Sequence, residues 1–300
     1  CGSSGGGCST ASNSGTVSDA NLIYVRAPMK LAGVTLEPAW IWHDGGTTAA
    51  GVIENARPDN QSRHTVGARA ATKRTVGKLR VDTTVEGYYQ FGEIATTSAT
   101  RDMDIEAYAL HADLGVTLPV PMQPRIGIEW NQASGDSNAN SCDGSDNGQN
   151  AAGGGCNTTW HGFDQLFPTN HIHFGYMDRM AWKNMVHFGT TLNLRPSKNS
   201  HFEVAAHRFF LNEENDNWYG ANQNVFVEIP NGNQEDELGT EVDVIYTHFF
   251  TPGNHVAWQI GGGVFFPGDV IDGNPVRSSS LNNAGVGNET WGYTQLWINW

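Results

Sequence analysis

The chain has 300 residues, with 17 Lys and Arg against 31 Asp and Glu, for a formal net charge of −14. That acidic balance argues against nucleic acid as a partner, and no run approaches the ~20 apolar residues that a membrane helix needs. With 36 glycines, 10% aromatics and abundant Asn and Thr, the composition points to an all-β protein.

The strands are read from alternation, since successive side chains in a strand point to opposite faces. Residues 21–28 set Ile23, Val25 and Ala27 against Tyr24 and Arg26, and 33–43 sets Leu36, Trp40 and Trp42 against Glu37. In 63–73, Val66, Ala68 and Ala70 oppose Thr65, Arg69 and Lys73. The clearest strand is 78–92. Its Leu79, Val81, Thr83, Val85, Tyr89 and Phe91 form a greasy face, and Arg80, Asp82, Thr84, Glu86, Tyr88 and Gln90 a wet one. Further strands follow at 103–118, 125–134, 185–195, 200–211, 238–250, 255–266 and 289–300. The pattern of 200–211 breaks at 207–210, which predicts a bulge. The last strand, ETWGYTQLWINW, places Thr294, Leu296, Ile298 and Trp300 opposite Tyr293, Gln295, Trp297 and Asn299.

Short turns at 29–32, 74–77, 119–124, 196–199 and 251–254 alternate strictly with long loops at 44–62, 93–102, 135–184, 212–237 and 267–288. This spacing predicts a transmembrane up-and-down antiparallel β-barrel, one domain over 1–300, with short periplasmic turns and long extracellular loops. The chain supplies about 11–12 strands, compatible with a larger barrel of about 18. Counting back from a periplasmic C-terminus puts residues 1–20 outside the cell and leaves an odd number of strands, so further strands are expected ahead of Cys1. The alternative is a lipidated Cys1 in the periplasm, with 21–28 not a strand. In the longest loop, 161–184 is aromatic and far from random, which predicts an ordered segment folded over or into the barrel mouth.

Cys1, Cys8, Cys142 and Cys156 form two close pairs in sequence within Gly/Ser/Asn-rich stretches. Without CxxC spacing or flanking histidines, two short-loop disulfides in an oxidising compartment are favoured over zinc.

Three stretches resemble the alginate-export family of outer-membrane porins. They are YYQFGE (88–93), the block FDQLFPTNHIHFGYMDRMAWKNMVHFGTTLNLRPSKNSHFEVAAHRFFL (163–211), and LGTEVDV with GGGVFFPGDVI (238–244 and 261–271). With the strand spacing, the likeness spans roughly residues 62–300. It implies a monomeric many-stranded barrel that passes anionic sugars or other small solutes. The Gly/Asn-rich insertion at 136–157 departs from the family pattern.

If the polar faces line a lumen, Arg26, Arg69, Arg80, Arg125 and Arg195 point inward, as do Glu37, Asp82, Glu86, Asp113, Glu129, Glu203, Glu241 and Asp243. Such rings of charge set ion selectivity, and arginines grip carboxylates bidentately. The competing reading is that these residues pair with one another and brace the wall. Asp143, Asp146, Asn147 and the run 212–217 offer oxygen ligands for calcium, but the spacing does not match an EF-hand and solvated acidic loops are far commoner; no other cofactor is expected. His161, His171 and His173 are weak metal candidates. No serine elbow, HExxH or phosphate loop is present, and no serine lies opposite His111, His187 or His207 for a barrel hydrolase.

The sequence therefore predicts a Gram-negative outer-membrane channel, not an enzyme, for hydrophilic and anionic solutes such as saccharides. Its other partners are outer-membrane lipid and lipopolysaccharide. The alternative is a structural barrel that anchors or sheathes an extracellular assembly.

Overall fold

The computed structural model describes residues 21–45, 56–96, 102–136, 159–166, 170–171, 173–229, 233–250, 256–272 and 288–298. Its elements are β1 (Asn21–Arg26), β2 (Met29–Leu31), β3 (Val34–Asp44), β4 (Ala56–Val76), β5 (Leu79–Thr96), β6 (Asp102–Thr117), β7 (Arg125–Ala133) and β8 (Thr159–Trp160). They continue with β9 (Met185–Ser197), β10 (Ser200–Phe210), β11 (Trp218–Tyr219), β12 (Val225–Val227), β13 (Glu237–Phe249), β14 (Val256–Pro267), α1 (Asp269–Asp272) and β15 (Glu289–Ile298). The four cysteines and the turn 251–254 lie outside the described residues.

The main sheet runs β1-β3-β4-β5-β6-β7-β9-β10-β13-β14-β15, each strand antiparallel to the next. Every strand of this path was expected from alternation. β2 adds to β3, β8 pairs with β6 in parallel, and β11–β12 form a separate small ribbon; none of these was foreseen, nor was α1. The first short turn is tighter than expected, because β2 occupies most of 29–32. The expected bulge is present as a register shift between Phe209 and Phe210 opposite β13. The inside–outside alternation nevertheless continues through it.

The largest difference is in β4 and β5, which extend into the stretches read as loops 44–62 and 93–102. Residues 56–62 read ARPDNQS, with no apolar face. A strand that continues past hydrocarbon has no need of one, so periodicity alone misses it.

The two faces are inverted relative to a soluble sheet. Val85 is 55%, Ile128 56% and Leu296 59% exposed, and Leu79, Leu114, Ile126, Phe188, Val244 and Ile260 on the same face are also exposed. The Leu79/Val85 row stands open. An apolar face that wide is unstable in water and suits lipid. The opposite face carries the charged residues. Its long-loop end is covered by a core of Phe174, Met180, Met185, Phe209, Leu211, Trp218, Leu238 and Phe265, and by a smaller one of Ile94, Met103, Ile105 and Trp160.

That cover also bridges distant strands of the sheet. Asp164 bonds to Gln90 of β5 and, seven residues on, His171 packs against Trp291 of β15. β5 and β15 are seven strands apart along the sheet, so one short segment touches strands near both ends of it.

Candidate functional site

Residues paired directly across neighbouring strands share a face. One row of the inner wall reads Glu37, Arg69, Glu86, His111, Asn131, His187 across β3, β4, β5, β6, β7 and β9. Most charges along this wall are paired. Arg26 pairs with Glu37. Arg69 bridges Glu37, Nη1 to Oε2 at 3.1 Å, and Glu86, Nε to Oε1 at 3.0 Å. The Tyr88 hydroxyl donates to Glu86 at 3.1 Å. Arg125 donates from Nε to both oxygens of Asp82 at 3.2 Å. Its guanidinium lies over Gly115 and Gly127, where an added Cβ would come within 2.1 and 2.8 Å of it. Two glycines are what let this arginine lie flat on the sheet.

A chain of polar side chains crosses the same wall. Asn131 Nδ2 donates to Glu129 at 2.8 Å and lies 2.9 Å from His187 Nδ1. An amide nitrogen has only donors, so His187 Nδ1 accepts and its proton sits on Nε2. That nitrogen donates to His207 Nδ1 at 2.9 Å, which turns the His207 Nε2 proton toward Asp243, 3.9 Å away. At the other end, His111 Nδ1 donates to Asn131 Oδ1 at 2.8 Å, and its Nε2 faces Asp113 at 3.2 Å. Both neighbours are acceptors, an arrangement satisfied when both ring nitrogens carry protons. The three histidines considered for catalysis thus form one relay with Asn131 across β6, β7, β9 and β10.

The described parts of segment 159–184, residues 159–166, 170–171 and 173–184, lie over this wall and are moored on both sides. On one side, Gln90 Oε1 accepts from Asp164 N at 2.9 Å and Gln90 Nε2 donates to Asp164 O at 2.6 Å. Fully buried Arg63 donates to Gln90 at 2.8 Å and approaches the Asp164 carboxylate at 3.8 Å. On the other side, Glu241 accepts from Met177 N at 2.8 Å and Asp243 from Tyr176 N at 3.3 Å. Arg179 pairs with Glu289, and Tyr176 stacks on Tyr293 at 6.4 Å. Gly175 makes the close pass possible. Its φ is +87°, and a Cβ there would sit 2.3 Å from Glu241 Oε1.

Between segment and wall is a cavity of about 290 Å³, lined by Glu86, Tyr88, His111 and Asn131 on the sheet and by Phe163 and Trp182 on the segment. Above it, Lys183 is buried, its ammonium 4.0 Å from the Tyr219 ring centre and 4.9 Å from that of Trp160. Burial, opposed by Asp216 and Asp164, pulls Lys183 down to about 8. Burial likewise pushes Asp216 up to about 6, against the pull of Lys183. Asp216 accepts from Tyr219 OH and from Asp136 N, both at 2.8 Å.

The sequence-predicted residues therefore separate into groups. Arg26, Arg69, Asp82, Glu86, Arg125 and Glu129 lie together on the inner wall. Arg80 donates to Gln123 at 2.9 Å, and Arg195 borders a second cavity at the short-turn end. Glu241 and Asp243 have no exposure at all, because the segment covers them. Gln90, Arg63, Asp164 and Lys183 were not singled out. Of the calcium candidates, Asp143, Asp146 and Asn147 lie outside the described residues. Among the described residues no cluster of three or more His, Cys, Asp or Glu could hold a metal ion. His171 is within 3.0 Å of Asp178, and His161 within 3.7 Å of Asp136.

The sequence profile of the alginate export family matches residues 21–285. The chain belongs to that family. Membership places it among the outer-membrane porins, and the exposed apolar face of its sheet accords with contact to lipid. No curated protein matches the chain. Among solved structures it is similar to the outer membrane protein OprD from Pseudomonas aeruginosa, at 9% identity and a TM-score of 0.41. The match covers 91% of this chain and 68% of that one.

Proposed function

We propose that the protein is a passive outer-membrane channel for hydrophilic, anionic solutes such as saccharides, with 159–184 as the segment that narrows its passage. The observation that carries this reading is the division of the sheet. Exposed aliphatic and aromatic side chains hold one face, and Arg–carboxylate ladders hold the other. A wall of this kind separates lipid from a wet interior. The paired ladders brace the wall, and the cavity beside Tyr88, Phe163 and Trp182 offers aromatic surface to a sugar ring. The C-terminus faces the periplasm, the molecule is a monomer, and no catalytic step is assigned to it.

Reconstitution into planar bilayers tests the proposal. Discrete single-channel steps with a measurable preference for anions are expected. A purified, folded protein that never conducts would favour the sheath or anchor reading instead.

A further inference from the structure

Among the described residues, two strand arginines stand on the greasy outer face of the sheet. Arg208 lies in the row that runs through Phe188, Trp130, Ala112 and Val85. Arg74 lies in the row that runs through Val81, Val116, Ile126, Leu192, Val204 and Val244. Every other member of that second row is aliphatic. The two arginines differ in their partners. Arg208, at the long-loop end, donates to both oxygens of Glu237, at 3.0 and 2.9 Å. Arg26, Arg63, Arg69 and Arg125 on the inner face also lie within 4 Å of a carboxylate. Arg74, beside the short turn that joins β4 to β5, has no such pair among the described residues. Its surroundings hold no acid, since 27–35 and 72–81 contain neither Asp nor Glu. The acids that follow these stretches, Glu37 and Asp82, face inward and are held by Arg69 and Arg125.

Arg74 is nevertheless fixed where it stands. Ala32 and Gly33, with φ of 48° and 82°, make the tight turn between β2 and β3. Arg74 Nη2 donates to Ala32 O at 3.0 Å, and its Nε donates to Thr72 Oγ1 at 3.4 Å. Thr72 Oγ1 in turn donates to Gly33 O at 3.0 Å. Clamping the turn therefore occupies the Nε–Nη2 edge and leaves Nη1 over. Hydrocarbon has no acceptor for the remaining N–H groups. On the same face Leu31 is 68%, Val76 61% and Leu79 36% exposed. Lys78, in the turn that follows Val76, is exposed and has no ion pair among the described residues. A held guanidinium and a second cation thus stand at the rim of the apolar face with no protein anion to satisfy them.

We infer that Arg74, with Lys78 beside it on the same hairpin, is a docking site for the phosphate of an anionic glycerophospholipid whose acyl chains lie along Leu31, Val76 and Leu79. This rests on the lipid contact of the outer face and not on what the channel passes. A charged side chain on a lipid-facing strand is costly unless it reaches the headgroup layer. There the free end of the guanidinium meets phosphate oxygens, which it binds as a planar fork, and Lys78 adds a mobile point charge. Two cations without a nearby acid favour a headgroup of net negative charge over a zwitterion. The exposed aliphatic side chains on the same face require that the phosphate arrive with its acyl chains attached.

The test is native mass spectrometry of the detergent-solubilised full chain titrated with dioleoyl phosphatidylglycerol. Dioleoyl phosphatidylcholine is the zwitterionic control, and glycerophosphate is the headgroup without its chains. Retention of phosphatidylglycerol alone is expected. R74Q/K78Q should lose about tenfold or more in affinity. K78Q, which leaves the clamp on the Ala32–Gly33 turn intact, should by itself lose about fivefold. K73Q removes the same charge one residue away on the inner face, and should stay within about twofold of the parent. The inference is overturned if K78Q and the double variant hold phosphatidylglycerol as tightly as the parent. It is equally overturned if K73Q weakens binding as much as K78Q, if phosphatidylcholine is retained as well, or if glycerophosphate binds as tightly as the lipid. Should R74Q/K78Q fail to fold, K78Q against K73Q decides the matter.

Discussion

The side chain of Gln90 pairs with the backbone of Asp164 as a neighbouring strand would, its carbonyl accepting from Asp164 N and its amide donating to Asp164 O. It also accepts from Arg63 and donates to Thr65, so every hydrogen-bonding group of the amide is used. A residue 74 positions away in sequence is thereby fixed to the inner wall.

Gln90→Ala should loosen this mooring. It leaves the buried N–H and C=O of Asp164 without these partners, and each orphaned group costs about 1–3 kcal/mol. Single-channel recording is expected to show larger and noisier conductance, with faster proteolysis between 161 and 184. Conductance and cleavage identical to the parent would mean that the segment does not depend on Gln90.

Gly175→Ala attacks the opposite mooring. The new methyl meets Glu241 Oε1 at 2.3 Å on a backbone with φ of +87°, a combination that costs about 1–3 kcal/mol. The Met177–Glu241 bond should break, with a rise in conductance like that of Gln90→Ala. The two effects should exceed either alone when combined, read in the same bilayer assay.

Arg125→Gln removes the partner of Asp82 and leaves that carboxylate uncompensated on the inner wall. Anion preference, measured as the reversal potential in a salt gradient, should fall. Arg26→Gln should do less, because Arg69 still serves Glu37. Equal effects from the two would argue that neither reports on its place in the wall.

The buried Lys183–Asp216 cluster predicts two pH windows of opposite sign. Asp216 rises from 3.8 to about 6, so the folded protein holds a proton that the unfolded chain has lost. That contribution to stability is complete below pH 3.8 and disappears as pH rises through about 6. Lys183 falls from 10.5 to about 8, so its contribution is complete above pH 10.5 and is lost as pH falls through about 8. Thermal unfolding in detergent across pH should show the first slope flattened in Asp216→Asn and the second in Lys183→Met.

Much of the fold is legible because the bilayer imposes a rule: every second residue of Leu79–Phe91 or Val256–Phe266 is apolar, aromatic or glycine, with Thr83 the one exception. The rule lapses at 56–62, where β4 leaves hydrocarbon, and the strand disappears from the sequence there. The site is harder to read for a related reason. Gln90 and Glu241 occupy inward positions, where a residue facing water and one facing a buried segment look alike in sequence. The aromatic run 161–184 did signal an ordered inward segment, but not which wall residues would bind it. Lys183 offers still less, a single cation within MAWKN whose burial depends on Tyr219 and Asp216 of a distant loop.

The crossing segment is held at Gln90 on one bank and at Glu241 and Asp243 on the other, which makes it a crossbar rather than a door. A door has one hinge and two positions. A crossbar can let go of either bank while the other holds, so two distinct partly open forms are the expected outcome of weakening the moorings one at a time. The current through a single molecule should then step through intermediate plateaus, and cutting one mooring should erase one plateau while sparing the other.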